Sequence, residues 1–511
     1  MILNEHIKYG GPINTLDILV NIDGLPISKS GVSSLWLILC SSTVVKSVYI
    51  VGAFYGETKP ENNIFLEKFV NEAIYLINNS LFRDGKKIEI KLHALVCDAP
   101  AKSFVLGVKN HNGYYSCTKC TIEGKYVNGR VCFPIKDTNP PLRTDEDFLN
   151  NKYEDFQIVE TILSKIPKFG PITDVPLDYM HLVCLGVVKK LILLWLTGPL
   201  SVRLSNNMIN NISEQLMQIR NSVPYDYTRR PRSLKHVRLW KATEFRQFLL
   251  YTGPVILMRI LKRDVYINFL SLHVAMTIIA SPILSKHELN VNYAQSLLEY
   301  FVASFTQIYG EQYVSHNIHN LLHICTDVRK YGPVDTFSAF KFENHMTNVK
   351  KLLRKPDKPL QQLARRYAEI ETLPLSVQSC QIQSNINFRK PHNSGPLIDG
   401  YNFTAQFKIL ENDLYSIYCD NERNNCVLLN NGDVVLIFNL VQSNDNNKFI
   451  IGKKLRYLDN LYSSPCASST FNIQIVKIED QLQIWPCDKL QAKMWIMSLN
   501  KNHIVFPIIH T

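Results

Sequence analysis

Cys117-x-x-Cys120 and His319-x-x-x-His323 lie 199 positions apart at their nearest. Zinc takes four Cys or His ligands in tetrahedral geometry. The first spacing lets two sulfurs turn inward from one loop. The second puts two imidazoles one turn apart on a helix face. If one ion holds all four, the fold must press a loop near position 120 against a helix near position 320. Taken alone, each pair has a plain account: two thiols by chance, or a polar helix face. Taken together they predict a structural Zn²⁺ site that stabilises the fold and need not take part in chemistry. His316, three positions before His319, competes as a ligand. His111 is either a partner behind the ligands or simply a loop residue.

Three acids stand around this set. Asp23 ends an apolar run in Ile-Leu-Val-Asn-Ile-Asp-Gly, and Asp98 ends another in Leu-Val-Cys-Asp-Ala-Pro. Glu343 lies in Phe-Lys-Phe-Glu-Asn-His. Any one of them has a simpler reading, Asp23 as a turn residue before Gly24 and Asp98 as a helix cap. Glu343 is harder to set aside, because it sits among Phe337, Phe340 and Phe342, where an unpaired carboxylate is costly. As a set, the acids predict a site for Mg²⁺ or Mn²⁺. Phosphodiester chemistry uses two divalent ions about 3.5–4 Å apart, and such hard cations take carboxylate oxygens.

Periodicity supplies a frame for both sets. Strands are predicted over 17–22, 34–45 and 48–55, a helix over 61–80, and an alternating strand over 87–96. This order, with acids at the ends of the first and fourth strands, predicts an α/β fold with an RNase H-like catalytic core. A short helix over 101–108 follows. The core's first part is assigned to 1–120. Residues 121–310 form a mainly helical insertion, with helices over 187–195, 208–219, 244–261, 266–279 and 293–305. Residues 311–375 return to the core with a helix over 319–328 carrying the histidines and one over 337–354 carrying Glu343. A polar linker is assigned to 376–404 and a small β-rich domain, barrel-like, to 405–511.

Composition sets outer limits. With 511 residues, 46% of them hydrophobic, the chain can bury a large core. Twelve cysteines over this length are not a disulfide framework, and no N-terminal secretory pattern is present, so a reducing compartment is expected. The uncharged stretch 265–285 is long enough to test as a membrane span, but Asn268, His273 and Pro282 fit a buried core helix, and no membrane association is expected. The formal charge of +12 fits a polyanionic partner. Arg229, Arg230, Arg232, Lys235, Arg238 and Lys241 crowd one stretch, with Trp240 among them. These residues are candidates for phosphate contacts, with Trp240 as a stacking platform for an unpaired base. A core tryptophan beside a solvated basic face is the equal alternative. A second basic run, Lys350, Lys351, Arg354 and Lys355, either tracks a backbone or partners a helix dipole.

The combined pattern resembles DDE transposases of the cut-and-paste class, with the CACTA-like group as the nearest likeness. The likeness rests on Asp, Asp with Cys-x-x-Cys just beyond, and His-x-x-x-His shortly before Glu. It extends to Asn-Ile-Asp-Gly-Leu-Pro at 21–26, Cys-Asp-Ala-Pro-Ala at 97–101, Leu-Asp-Tyr-Met-His at 177–181, Trp-Lys-Ala-Thr-Glu-Phe-Arg at 240–246 and Phe-Glu-Asn at 342–344. The spacing of acids and zinc ligands is also similar to that of the catalytic subunit of the V(D)J recombinase. The resemblance covers residues 15 to 375. It implies Asp23, Asp98 and Glu343 as catalytic acids holding two Mg²⁺, and Cys117, Cys120, His319 and His323 as zinc ligands. It further implies double-stranded DNA as partner, a homo-oligomer on DNA, and action in the nucleus. Asp178 and His181 match a further signature of the group, although Asp178 is equally well placed to cap a helix starting at Tyr179.

The activity implied is metal-dependent DNA cleavage followed by strand transfer from the freed 3′-OH. The 22 residues before Asp23 contain no module of the kind that recognises element ends, which marks the chain as a fragment, a decayed copy or a host gene derived from an element and puts autonomous transposition in doubt. Two alternatives stay open: a decayed or domesticated relative that binds DNA or chromatin without cutting it, and an unrelated metal-dependent nuclease. No P-loop, G-x-S-x-G or H-E-x-x-H is present to support ATPase, serine hydrolase or zincin chemistry.

Overall fold

A computed structural model describes residues 2–27, 33–134, 140–355, 357–372, 386–499 and 502–509. The chain divides into two compact units, one of residues 1–187 with 282–382 and the other of 188–281 with 383–511. Residues 121–187 and 282–310, assigned above to the insertion, cluster with the first unit.

The first unit is built on a five-stranded sheet. Its strands are β1 (Thr15–Pro26), β2 (Ser34–Ser42), β3 (Tyr49–Gly56), β4 (Leu81–Arg83) and β5 (Lys86–Val96), in the order β3-β2-β1-β5-β4. β1, β2 and β3 run as an antiparallel meander, and β5 joins β1 in parallel. Parallel neighbours need a crossover, which helix α2 (Asn62–Asn79) helps to supply; α1 is the short Ile2–Lys8 helix. β2 reads as a nearly continuous buried run, Leu35 to Leu39, because its residues are covered on both sides. β4 was not foreseen: three residues pair with the start of β5 across an Asp84–Gly85 turn, and both turn residues have positive φ.

Helix α3 (Ala99–Leu106) starts directly after β5 with Asp98 as its N-cap. Beyond it the chain runs mostly without regular structure to Tyr179, apart from the hairpin β6 (Lys125–Val127) and β7 (Arg130–Cys132) and a few short helical turns. This stretch is held by side chains instead of by a ladder. Buried Asp327 accepts from Lys119 Nζ at 2.9 Å and from Leu177 N at 2.7 Å, and Lys330 Nζ reaches Asp174 at 2.6 Å. Asp174 O in turn accepts from Leu95 N of β5. Residues 170–178 are thereby stitched to both the sheet and the Ile324–Tyr331 helix.

In the second unit, the C-terminal strands form one sheet. They are β8 (Asn387–His392), β9 (Phe403–Glu411), β10 (Ser416–Tyr418), β11 (Cys426–Leu429), β12 (Val434–Ser443), β13 (Lys448–Asn460), β14 (Gln474–Pro486), β15 (Leu490–Leu499) and β16 (Asn502–Pro507). Six of them, β12-β11-β15-β16-β14-β13, pair in a closed ring because β13 also bonds β12, so the barrel expectation holds. The linker expectation needs correction. Residues 387–392 are not a tether but strand β8, paired with β9. The linker's part within 373–385 lies outside the described residues. The helices of this unit include Asn206–Ile219, Ala242–Gln247 and the almost wholly buried Arg263–Ala280. Buried His273 on the last of these bonds Leu249 O and Tyr462 Oη, so its polar atoms are satisfied inside the core. One helix among the described residues, Met180–Thr197, is long and apolar enough to cross a membrane, and over half of it is buried within the protein.

Candidate metal and acid centres

The four predicted zinc ligands meet. Among the described residues, Cys117, Cys120, His319 and His323 form a set offering one ligand atom each, all within 4.8 Å of one another. Cys117 Sγ and Cys120 Sγ are 3.6 Å apart, Cys120 Sγ and His319 Nε2 3.2 Å, and the two histidine Nε2 atoms 3.3 Å. A tetrahedron with Zn–S near 2.3 Å and Zn–N near 2.05 Å has edges of about 3.8, 3.5 and 3.3 Å for these pairs. The donor set therefore fits a tetrahedral metal such as zinc. Lys119 N points at Cys117 Sγ from 3.4 Å, which favours sulfur as an acceptor. Burial works against a charge on Cys117, but the Cys120 hydrogen bond and the His319 and His323 imidazoles outweigh it and hold the thiol well below its ordinary range. Phe133 and Ile122 pack around the sulfurs and keep the site dry.

The histidines do not share one uninterrupted α-helix. His319 lies on the His316–Asn320 helix and His323 ends the 3₁₀ turn Leu321–His323. His316 stays outside the set, its Nε2 3.3 Å from Ser116 O. His111 is no ligand either; it faces the His316 ring at 6.2 Å.

The three acids also approach one another. The β1–β5 register pairs Asn21 with Val96, so two residues further along each chain come Asp23 and Asp98. Side-chain direction in a strand repeats every two residues, so a parallel pair sets the two acids side by side. Asn21 Nδ2 donates to Val96 O at 2.8 Å and locks this end of the ladder. Each carboxylate is then fixed by backbone: Gly24 N donates to Asp23 Oδ1 at 2.6 Å, and Ala101 N to Asp98 Oδ1 at 2.7 Å.

Glu343 arrives on the first turn of the Phe340–Leu352 helix. Two lysines pin that helix to the sheet, Lys341 through Ser41 Oγ and Ser42 O, and Lys350 through Pro26 O at 2.7 Å. Lys350 is thus committed to β1. Asp23 and Glu343 are close enough for their charges to act on each other. Burial first, then the charges of Asp98 and Glu343, raise the Asp23 carboxyl to about 7. Burial also raises Glu343. The acids are set more loosely than the zinc ligands; among the described residues only the Cys/His set brings three or more ligand atoms mutually within 4.8 Å.

Asp178 and His181 belong to this centre, which the sequence reading left without a role. Asp178 is buried and accepts from Met180 N and His181 N, so it does cap the following helix. It also accepts from His181 Nδ1 at 2.6 Å and from Ala339 N, at the root of the Glu343 helix, at 2.7 Å. His181 Nε2 lies 3.9 Å from Glu343 Oε1. Burial would lower the imidazole, but the Asp178 bond and the charges of Asp178, Asp98 and Glu343 outweigh it and raise it to about 9. The segment Met180–Val188 is π-helical, a rare geometry that occurs often at functional sites. Gly186 lets it approach closely, since a Cβ there would collide with the Asn317 side chain. A cavity of about 220 Å³ lies between these elements, lined by Asp98, His111, His181, His316 and Asn317 among others.

The predicted basic stretch is divided. Arg229, Arg230, Lys235, Arg238 and Lys241 are exposed. Arg232 is instead bound to buried Glu244 at 2.6 and 2.7 Å, and Glu244 also accepts from Lys241 N. Trp240 is buried against Phe245 and Phe248, so the core alternative describes it and the stacking role does not. The Trp240–Arg246 string is architectural through these two contacts.

Residues 391–508 match a family described as Domain of unknown function (DUF8592). No curated protein matches the chain. The family match covers the barrel and leaves the acid centre to be read from its geometry.

Proposed function

We propose that this protein cuts DNA by metal-dependent phosphodiester chemistry of the transposase type, with Asp23, Asp98 and Glu343 as its catalytic acids and an RNase H-like core. The observation that carries this is the approach of three half-buried acids from β1, the α3 cap and the Phe340–Leu352 helix, although up to 320 positions separate them. The sheet order agrees, with three antiparallel strands followed by a parallel one whose end bears the second acid.

The chemistry of the three carboxylates suits hard divalent cations. A carboxyl raised to about 7 by burial and two like neighbours is held at a cost that a cation relieves. Asp23, Asp98 and Glu343 would hold Mg²⁺ or Mn²⁺. When bound, such ions polarise the scissile phosphate and favour an attacking hydroxide or 3′-OH. The chain's own contribution is rigidity. Backbone N–H groups fix one oxygen of each aspartate, and Asp178 fixes the Glu343 helix through Ala339. Zinc at the Cys/His set would clamp the loop after α3 to the His316–Asn320 region and so hold Asp98 in place. The exposed Arg229, Arg230, Lys235, Arg238 and Lys241 are suited to phosphate contacts, and action in the nucleus as an oligomer on DNA belongs to the same reading.

The test is cutting of a labelled DNA duplex in Mg²⁺ or Mn²⁺ by wild type, Asp98→Ala and Glu343→Gln. The reading expects nicking by wild type alone, with DNA binding retained by both variants. Equal cutting by Glu343→Gln removes the third acid from the centre. Binding without cutting by wild type points to the non-catalytic alternative.

A further inference from the structure

We propose that the second unit carries a cation-binding site formed by Tyr225, Tyr415, Tyr418 and Asp413, which takes the methylated lysine side chain of a peptide. A cavity of about 340 Å³ lies within this unit. Tyr225 and Asp226 line it from the loop beyond the Asn206–Ile219 helix, and Asp413 and Tyr415 from the β9–β10 connection. Tyr418 on β10 and Lys493 on β15 complete the wall. The proposal stands apart from the DNA-cutting reading and needs none of its residues.

Three observations point to a cation. The first is an aromatic pair kept at the surface. Tyr225 is 55% exposed, yet its ring is fixed at both ends. Its backbone N donates to Asn424 Oδ1 at 3.0 Å, and its Oη accepts from Asn421 Nδ2 at 2.7 Å. Its ring centre stands 5.5 Å from that of Tyr418, with the planes at 77°, so two aromatic walls meet in a corner. Ring faces attract a cation within about 6 Å of their centres. The second observation is charge. Lys493 is only 2% exposed, and Asp226, Ser416 O and Asn424 Oδ1 take its three donors at 2.6, 2.8 and 3.0 Å. Asp226 and Lys493 therefore cancel. Asp413 is exposed and carries no ion pair among the described residues, so the lining keeps one uncompensated negative charge. The third is a preset loop. Asn412 Oδ1 accepts from Leu414 N at 2.9 Å and Tyr415 N at 2.8 Å, which fixes the backbone on either side of Asp413's neighbour.

Physical chemistry selects among cations. A plain lysine ammonium is compact and strongly hydrated, so it gives up water reluctantly. Methylation keeps the charge and replaces its N–H donors by methyl groups, which suits aromatic faces. A base stacked on Tyr225, or a choline lipid headgroup, would bring a phosphate beside Asp413. A peptide brings the cation without that repulsion.

The test titrates the full chain, ¹³C-labelled at tyrosine, with three capped amino acids. They are Nα-acetyl-trimethyllysine methylamide, its unmethylated counterpart, and its neutral isostere with carbon in place of the charged nitrogen. The trimethyl compound should shift the Tyr225 and Tyr418 ring resonances saturably, and bind about tenfold tighter than either control. Tyr225→Ala should weaken it by about tenfold, while Tyr225→Phe, which keeps the ring, should stay within about twofold. Asp413→Asn should weaken the charged compound and leave the neutral isostere unchanged. Both residues are exposed, and an unshifted Tyr415 resonance in the free variants checks that the fold is intact. Equal binding of the isostere would reduce the site to an apolar slot and overturn the proposal, as would the absence of any Tyr225 or Tyr418 shift. Displacement of the trimethyl compound by phosphatidylcholine vesicles or by a single-stranded oligonucleotide would assign the site to a lipid or a nucleic acid instead.

Discussion

Replacing Asp23 by asparagine should make the metal-free protein more stable while abolishing its chemistry. Asp23 is half-buried beside Asp98 and Glu343, and its carboxyl is raised from 3.8 to about 7. A carboxyl raised in the folded state binds more protons folded than unfolded between these values. Folded stability therefore falls as pH rises through that window, and the full cost is present above pH 7. At about 1.36 kcal/mol per pH unit the whole displacement corresponds to about 4 kcal/mol. The acids titrate together, so about half of that, ~2 kcal/mol, is assigned to Asp23 itself. Asparagine keeps an acceptor for Gly24 N and carries no charge beside Asp98 and Glu343, so little is lost in exchange. In a unit of nearly 300 residues ~2 kcal/mol moves the midpoint by about 3 °C. Differential scanning calorimetry in EDTA from pH 4 to 8.5 should show Asp23→Asn melting higher at pH 8, with the gap closing toward pH 4. Added Mg²⁺ should raise the wild type and narrow the gap. A variant that melts lower than wild type at pH 8 in EDTA would falsify the repulsion on which the acid centre is built.

Metal analysis of the purified protein should find one zinc per chain, and Cys117→Ser should lose it along with stability on the order of 5 kcal/mol, seen as a lowered unfolding midpoint; unchanged zinc content would reject the site. Reversing Arg229 and Arg230 to glutamate should weaken DNA binding and reduce the slope of log K against log salt by about 2, measured by fluorescence anisotropy. An unchanged slope would move the DNA path elsewhere. Arg232→Ala should behave differently from its exposed neighbours. It leaves buried Glu244 without its ion partner and should cost about 2 kcal/mol of stability in urea unfolding, with no matching change in salt dependence.

Local pattern was enough for much of the frame. Alternation and apolar runs placed β1, β2, β3 and β5, and helical spacing placed α2 and the Phe340–Leu352 helix, because each buries one continuous face. Asp98 as a cap and the Cys-x-x-Cys turn were equally legible, being settled by neighbours a few residues away. The short β4 and β8 were missed. Three or six residues carry too little periodicity to read, and the ladder of a neighbouring strand creates them.

What the chain order alone determined was the inventory: two thiols, two imidazoles and three acids, with spacings suited to a tetrahedral metal and an acid site. Tertiary structure decided which of them work together. The β1–β5 register, which no local segment encodes, sets Asp23 beside Asp98. Two lysines anchored to strand ends bring Glu343 to them. Packing alone buried Trp240 and gave Arg232 to Glu244, withdrawing both from any exposed surface. His181 joined the acids only because Asp178 bonds both its ring and the backbone of Ala339. Contacts across such distances depend on how whole elements fill space, and that is the part of the free energy no short stretch of sequence carries.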